Sequence, residues 1–434
     1  MTKHVMDTDI GHTRLDDAGN GLLGTPADRI EGPLKVTGRA TYAYEHDAGP
    51  DTAYGYLVTA PVGRSHLTSV RKGEAEAMPG VLLVLTDDLP RASSQPMGEK
   101  PQMTEGRIHH HGQPVAFVVA TSFEAARHAA TAVTVVSETE LGRYELDRLA
   151  DDAPLAEDGV MPAKVERGDF AAAFEAADVK IDLDYTTPSH HSAAMEPQAA
   201  VASWDEDALT VYCSSQLVEV NTGQVAASLG IAKEKVRLIS PYVGGGFGNK
   251  LGISADVILA ARAAQRLVRP VKVALTRQAV FQATSRRSET RQRVRIGAQA
   301  DGRITAISHD TVATNSPGNS FFEPAGMSTV FLYAGENRSI RHFLAESDLL
   351  MTASVRAPAR PSACWRWKTP WTSWPRSSAL IRWNCAGATS RRSTRRMAGP
   401  SPPAIWSPAW TRARGASDGT SAPKHPEAGA RASG

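Results

Sequence analysis

The stretch Ser240-Pro-Tyr-Val-Gly-Gly-Gly-Phe-Gly-Asn-Lys250 constrains the fold of this 434-residue chain more than any other. Val236 to Ile239 before it reads as a short buried strand. After it, Ile253, Val257, Leu259, Ala260, Ala264 and Leu267 recur at helical spacing, with Arg262 and Arg266 on other faces. A strand, a glycine loop and a helix start together present bare backbone N–H groups to an anion. Consecutive glycines permit positive φ and let a ligand approach the main chain. Two phosphate-binding motifs fail here. A dinucleotide fingerprint begun at Gly244 or Gly245 needs its third glycine where Asn249 or Lys250 stands. A P-loop needs Gly-Lys-Ser/Thr, and the chain has Asn249-Lys250-Leu251. On its own, the cluster is either a tight turn or a ligand cradle.

The length accommodates two or three domains. The net charge of +2 hides an asymmetry along the chain. After Pro358 there are 13 Lys and Arg against only Asp418 and Glu427, which leaves 35 basic and 44 acidic residues in 1–358, a net charge of −9. So acidic a body argues against nucleic acid as a partner. The N-terminus lacks the basic-then-apolar pattern of a signal peptide, and no apolar run is long enough to span a bilayer, so no membrane insertion is expected. Cys213, Cys364 and Cys385 form no CxxC and offer no disulfide, zinc or iron–sulfur spacing, which fits a reducing compartment.

Residues 1–26 read as a polar, disordered tail. Within 27–145, Tyr54 to Val58, Val81 to Leu85 and Gly112 to Ala120 read as strands. Thr121 or Ser122 caps a helix over Phe123 to Ala130, and Thr131 to Val136 returns as a strand, which completes a βαβ unit. His109-His110-His111 alternate in direction on an extended chain and cannot all face one ion, so a solvated loop is expected. Acids, prolines and alanines over 146–167 read as a linker. The segment 168–358 opens with a short helix, Gly168 to Ala177, and a strand, Lys180 to Tyr185. His190, His191 and Glu196 form a set that could suggest zinc. Leu209 to Tyr212 is a strand that runs toward Gln216, and Thr222 to Leu229 is a helix ended by Gly230. Arg269 to Thr276 is a further strand, and Asp301-Gly302 is a hairpin signal between Val294 to Ala298 and Ile304 to Ser308. Arg286, Arg287 and Arg291 read as a solvated basic face.

The loop Tyr242 to Lys250 resembles the cofactor loop of the large, molybdopterin-binding subunit of the xanthine dehydrogenase/aldehyde oxidase family, in its bacterial aldehyde dehydrogenase type. The likeness runs from about Asp28 to Pro358. Asp28 to Tyr42 resembles the family's opening signature, and Ser354-Val-Arg-Ala-Pro358 resembles its arginine-containing active-site segment. The fold implied is α+β: an N-terminal α/β hammerhead domain, the first part of a mixed α/β molybdenum-cofactor-binding domain, and an irregular C-terminal tail. By residue match, the Gln216 amide would donate to an oxygen on molybdenum, a neutral donor that orients a metal-oxo group without displacing a ligand. Gly245, Gly246, Phe247 and Gly248 would face the cofactor. Phe247 and Arg356 would position substrate, and Arg356 would also help hold the cofactor. The resemblance makes Met195 to Pro197 a structural lining and leaves the metal to the pterin's sulfurs, with no protein ligand. Leu251 stands where purine-hydroxylating members carry glutamate. Its apolar side chain cannot hydrogen-bond a purine, which favours an aldehyde or an uncharged aromatic substrate.

The cofactor implied is molybdenum–molybdopterin in its cytosine dinucleotide form, with Fe–S and FAD carried only by partner subunits. The reaction implied is hydroxylation of a carbonyl or heteroaromatic carbon with water as the oxygen source. The resemblance places the family's catalytic glutamate near the far C-terminus in a Gly-rich Gly-Glu context, and no such Gly-rich element occurs in the C-terminal part of this sequence. The compartment expected is the cytoplasm, or the periplasm through export with a partner.

Beyond Pro358 the composition changes, and seven of the eight tryptophans lie there. Back-translation of Arg366 to Asp418 with GC-rich codons, read one base out of phase, permits a charged amphipathic sequence beginning Leu-Glu-Asn-Ala-Val-Asp-Glu-Leu. This resembles the family's continuation. Residues 359–434 are therefore expected to be out-of-frame translation, and the alternative functional reading is a catalytically inactive fragment.

Overall fold

The computed structural model describes residues 28–92, 101–159, 161–333 and 335–357. The tail expected over 1–26 and the out-of-frame reading of 359–434 lie outside these residues. In chain order the strands and main helices begin with β1 (Ala53–Thr59), β2 (Ser65–Arg71), β3 (Val81–Leu85), β4 (Arg107–Ile108) and β5 (Pro114–Ala120). Helix α1 (Phe123–Ala130), β6 (Thr134–Thr139), β7 (Lys164–Arg167) and β8 (Val179–Thr187) follow. Then come β9 (Ala199–Asp205), β10 (Ala208–Cys213), α2 (Val218–Leu229), β11 (Val236–Ile239), α3 (Ala255–Leu267) and β12 (Val271–Ala274). The series ends with β13 (Thr290–Ala298), β14 (Ile304–Asn315) and β15 (Asn337–Glu346).

A seven-stranded sheet has the order β11-β10-β9-β12-β1-β5-β3. β10 lies parallel to β11 and β1 parallel to β12; the remaining neighbours are antiparallel. Pairing of Ala53 with Val271 thus joins strands from both halves of the described chain into one sheet. The apolar run Val115 to Ala120 fits the interior place of β5 between β1 and the edge strand β3, where it is buried on both faces. Its alternate residues divide between two cores. Phe117 and Val119 pack with α3, while Ala116 and Val118 pack with Ala129 of α1. Helix α3 is rich in alanine, and these small side chains bring it close to the sheet; Ala260, Ala261, Ala263 and Ala264 are all buried. Its expected outward arginines pair with the loop after β3, Arg262 with Asp88 at 2.8 Å and Arg266 with Asp87 at 2.5 Å.

Ser122 caps α1, its hydroxyl accepting from the Ala125 amide at 3.1 Å. The returning strand corrects the expected βαβ unit. β6 leaves the sheet of β5 and pairs antiparallel with β2 in a three-stranded sheet, β4-β2-β6. Both edges of β5 are already taken by β1 and β3, so no parallel place remains. The linker reading of 146–167 also changes, because β7 within it pairs with β15 at Val165–Ile340. β7 is an edge strand of the five-stranded sheet β7-β15-β14-β13-β8. The β13–β14 hairpin turns at Asp301-Gly302, with Gly302 at φ 86°. No helix among the described residues is long and apolar enough to cross a membrane.

Two buried histidines are satisfied as neutral rings. His309 bonds Thr329 Oγ1 through Nδ1 at 2.8 Å and Gln292 Oε1 through Nε2 at 3.0 Å. His342 accepts from the Gly326 amide at 3.0 Å and donates to the Ala163 carbonyl at 3.1 Å. Burial lowers His309 to about 3 and His342 to about 4. A folded value below the unfolded one means that stability is complete above about pH 6.5 and is lost as pH falls, at about 2 kcal/mol per histidine by pH 5. The urea midpoint is therefore expected to drop between pH 7 and pH 5, and less steeply in His309→Gln; equal slopes would contradict the buried neutral ring. A second prediction concerns Gly55, where an added Cβ would lie 2.1 Å from Phe117 Cζ. Gly55→Val is expected to cost about 1–3 kcal/mol through overpacking, read as a lower urea midpoint at pH 7, and an unchanged midpoint would show that the ring is elsewhere.

Candidate cofactor site

β10, α2 and β11 form a parallel crossover, so the C-terminal ends of β10 and β11 lie side by side. This is the edge at which α/β sheets bind ligands. Gln216 follows β10 and the glycine loop follows β11, and parallel pairing brings them together. The Gln216 amide donates to the Lys250 carbonyl at 2.8 Å. Its side-chain Oε1 accepts from the Gly248 amide at 3.0 Å and the Lys250 amide at 3.3 Å. Two backbone donors on one side fix the carboxamide oxygen there. Its Nε2 is left with no acceptor among the described residues.

The glycines are required by space. A Cβ on Gly246 would come within 2.3 Å of Gln216 Oε1, and one on Gly248 within 2.4 Å of the Ser354 carbonyl. Between them Phe247 sits at φ 53°, an uncommon conformation for a bulky residue, with its side chain 43% exposed. Tertiary bonds hold it: the Phe247 carbonyl accepts from the Arg356 amide at 2.6 Å and from Ser192 Oγ at 3.4 Å. The Arg356 guanidinium lies 6.0 Å from the Phe247 ring centroid. Gln216, Gly245, Gly246, Phe247, Gly248 and Arg356 thus form one cluster.

Met195 to Pro197 was expected as a structural lining, but the pairing of Glu196 with Lys250 and the bonds of Asn249 beneath the loop were not read from the sequence. Lys250 is 2% exposed and donates from Nζ to the Glu196 carbonyl and to Glu196 Oε2, both at 2.9 Å. Burial lowers the lysine's pKa and the Glu196 carboxylate opposes that shift. Glu196 Oε2 also accepts from the Gly244 amide at 2.7 Å. Asn249 donates to Ser285 O at 3.0 Å and Thr284 Oγ1 at 3.2 Å, and its Oδ1 accepts from Gln198. The suggested His190, His191 and Glu196 metal set is not assembled. His190 bridges to Arg287 through the backbone, the His191 ring lies 5.5 Å from that of Phe281, and Glu196 is bound to Lys250. Among the described residues no group of three or more His, Cys, Asp or Glu is placed to hold a metal ion.

Two readings are overturned here. Arg286 and Arg287 are not solvated; they are 2% and 4% exposed. Arg286 donates to the Leu350 carbonyl at 2.7 Å and Thr314 Oγ1 at 2.9 Å, and pairs with Glu289. Arg287 donates from Nη2 to the carbonyls of Val355 and Arg356 at 2.9 Å and of Ala357 at 3.3 Å, with Glu323 3.4 Å from its Nε. Only Arg291 keeps a surface role, pairing with exposed Asp151 at 3.1 Å. His110 is not solvated either: it is buried against the Gln282 carbonyl at 3.1 Å, and burial lowers it to about 3. One edge therefore carries an unengaged amide donor, bare glycine backbone and an arginine. That donor set fits an oxygen-rich, anionic molybdenum–pterin group.

The sequence model of the molybdopterin cofactor-binding domain matches residues 154–367, and that of the aldehyde oxidase and xanthine dehydrogenase a/b hammerhead domain matches residues 37–140. The aldehyde oxidoreductase molybdenum-binding subunit PaoC of Escherichia coli is 43% identical over 341 residues, covering 78% of this chain and 46% of the relative. The putative xanthine dehydrogenase molybdenum-binding subunit XdhA of Escherichia coli is 28% identical over 327 residues, covering 70% and 43%. The chain thus spans about half the length of the curated relatives it matches. Aldehyde oxidoreductase from Desulfovibrio desulfuricans shares the fold at a TM-score of 0.69 and 19% identity, covering 84% of this chain and 42% of that one. With both domain signatures in order and the glycine loop, Gln216 and Arg356 on one edge, this chain belongs to the aldehyde oxidase and xanthine dehydrogenase family of oxidoreductases.

Proposed function

We propose that this chain contributes the Gln216–Gly246–Arg356 edge of a molybdopterin site in a hydroxylase that oxidises an aldehyde, with residues 27–145 as hammerhead and 168–358 as part of the cofactor domain. The orientation of Gln216 carries this reading: its oxygen is bound by Gly248 and Lys250, so its NH2 is the group offered outward. Bound there, a molybdenum–pterin group supplies two-electron oxidation with water as the oxygen source. The chain's own residues bind and orient. Gln216 offers a neutral donor, the Gly245–Gly248 backbone admits close approach, and Arg356 beside Phe247 positions a carbonyl substrate. Leu251 supports an aldehyde over a purine. The cytosine dinucleotide form of the cofactor, and Fe–S and FAD subunits as electron acceptors, complete the proposal. A second reading, that this chain is inactive alone, draws support from apolar surface around the loop: Met195 is 88% exposed, Leu217 37% and Val218 40%.

The test is to purify the chain from cells that make the cofactor and measure bound molybdenum and pterin, since these report the site without requiring turnover. Pterin and metal are expected together, and their absence from folded chain would overturn the reading. Gln216→Glu keeps the acceptor for the loop amides and removes the NH2, so metal retention on dialysis should fall by about tenfold, the value of one charge-assisted hydrogen bond. Wild-type retention in that variant would remove Gln216 from the site.

Arg287 yields a separate expectation. Arg287→Lys keeps the charge facing Glu323 but cannot reach three carbonyls, which should loosen 355–357 by about 1–3 kcal/mol. Limited trypsinolysis after Arg356 is then faster in the variant. An equal cleavage rate would mean that the clamp does not hold this segment.

A further inference from the structure

Away from the glycine loop, the buried cation Arg91 uses only one of its three guanidinium nitrogens for hydrogen bonds among the described residues. Arg91 is 7% exposed and borders a cavity of about 580 Å³. Both of its hydrogen bonds leave from Nη2, one to Gln102 Oε1 and one of 2.8 Å to the Pro317 carbonyl. Its Nε and Nη1 have no acceptor, and no carboxylate pairs with it, among the described residues. The contrast with other buried arginines is instructive. Arg286 and Arg287 face Glu289 and Glu323, and Arg338 spreads its three nitrogens over the carbonyls of Thr329, Leu332, Tyr333 and Gly335. A guanidinium held by two neutral oxygens on one nitrogen retains most of its desolvation cost.

The surroundings point the same way. Arg107 borders the cavity, with its own charge met by Glu140 at 2.6 Å. His109 stays neutral, because burial together with the Arg91 and Arg107 charges lowers it to about 4. Glu105 also borders the cavity, is exposed and makes no ion pair with Arg91. Gln102 accepts from Arg91 and donates to the Gly318 carbonyl at 2.7 Å, so the guanidinium is oriented before any ligand arrives. Pro101, Met103 and Pro317 supply apolar wall.

We propose that this cavity is a binding site for a small carboxylate with an apolar body, the carboxylate on Arg91 Nε and Nη1 and the body against Pro101, Met103 and Pro317. Planar carboxylate and guanidinium match in geometry, and the pair satisfies the donors that the fold leaves over. Ala92, next in sequence, packs with Leu350, Met351 and Ala353, so the site shares a scaffold with the segment that leads to Arg356. The inference does not depend on the redox reading above.

The test is equilibrium dialysis of the full-length chain against radiolabelled benzoate, with benzamide and inorganic phosphate as unlabelled competitors. Saturable benzoate binding is expected, displaced poorly by benzamide, which lacks the charge, and by phosphate, which lacks the apolar body. Arg91→Gln should weaken it by at least about tenfold, the loss of a charge-assisted hydrogen-bonded pair, and Arg91→Lys should weaken it less. Circular dichroism checks that the variants fold. If Arg91→Gln does not, Gln102→Leu at the exposed neighbour must still weaken benzoate. Absence of saturable binding by the wild type, equal binding by the folded variants, or full displacement by benzamide would each overturn the carboxylate site. Preferential displacement by phosphate would overturn it in favour of a phosphate site.

Discussion

A single carboxylate closes the glycine loop on which the candidate site is built. Glu196 Oε2 accepts from the Gly244 amide at the loop's start and from Lys250 Nζ at its end. Glycines lose more backbone entropy on ordering than other residues, so a loop with four of them in the span 244–248 requires external fixing. The lysine is almost wholly buried, and burial lowers its pKa by disfavouring the charged form. Coulombic pairing and the second bond to the Glu196 carbonyl offset that cost. Geometry at Gln216 follows, because the Gly248 and Lys250 amides that orient it belong to the loop so held.

Two adjacent arginines perform a comparable task for the other side of the site. Arg286 and Arg287 bond carbonyls of Leu350 and of Val355 to Ala357, chain that has no strand partner over most of that length. Backbone carbonyls without a sheet or helix need side-chain donors, and a guanidinium can serve several at once. Arg356 reaches Phe247 through this arrangement. The left-handed conformation of Phe247 is stable because its carbonyl is fixed by two partners distant in sequence.

Local structure was largely legible. The ends of α1 follow from the Ser122 cap and the alanine-rich run, the Gly230 stop from its left-handed conformation, and the β13–β14 turn from Asp301-Gly302. These elements are decided by interactions within a few residues. Partner choice was less legible. β6 pairs with β2 because β5 has no open edge, and the edge count is not a property of the β5–α1–β6 segment. β7 looked like linker because an edge strand of four residues carries little apolar pattern.

For the site, the glycine loop, Gln216 and Arg356 were visible as residue types and spacings, and the family they signal is the one to which the chain belongs. Sequence alone thus determined which groups could face a cofactor. Their convergence was decided by tertiary structure: parallel pairing of β10 and β11 sets Gln216 beside the loop, and partly buried Glu196 and buried Lys250, Asn249 and Arg287 hold it there. Charged residues in a linear sequence read as surface because burial of a charge is unfavourable without partners. Here the partners are carbonyls and carboxylates tens of residues away, and only the folded chain brings them within hydrogen-bonding distance.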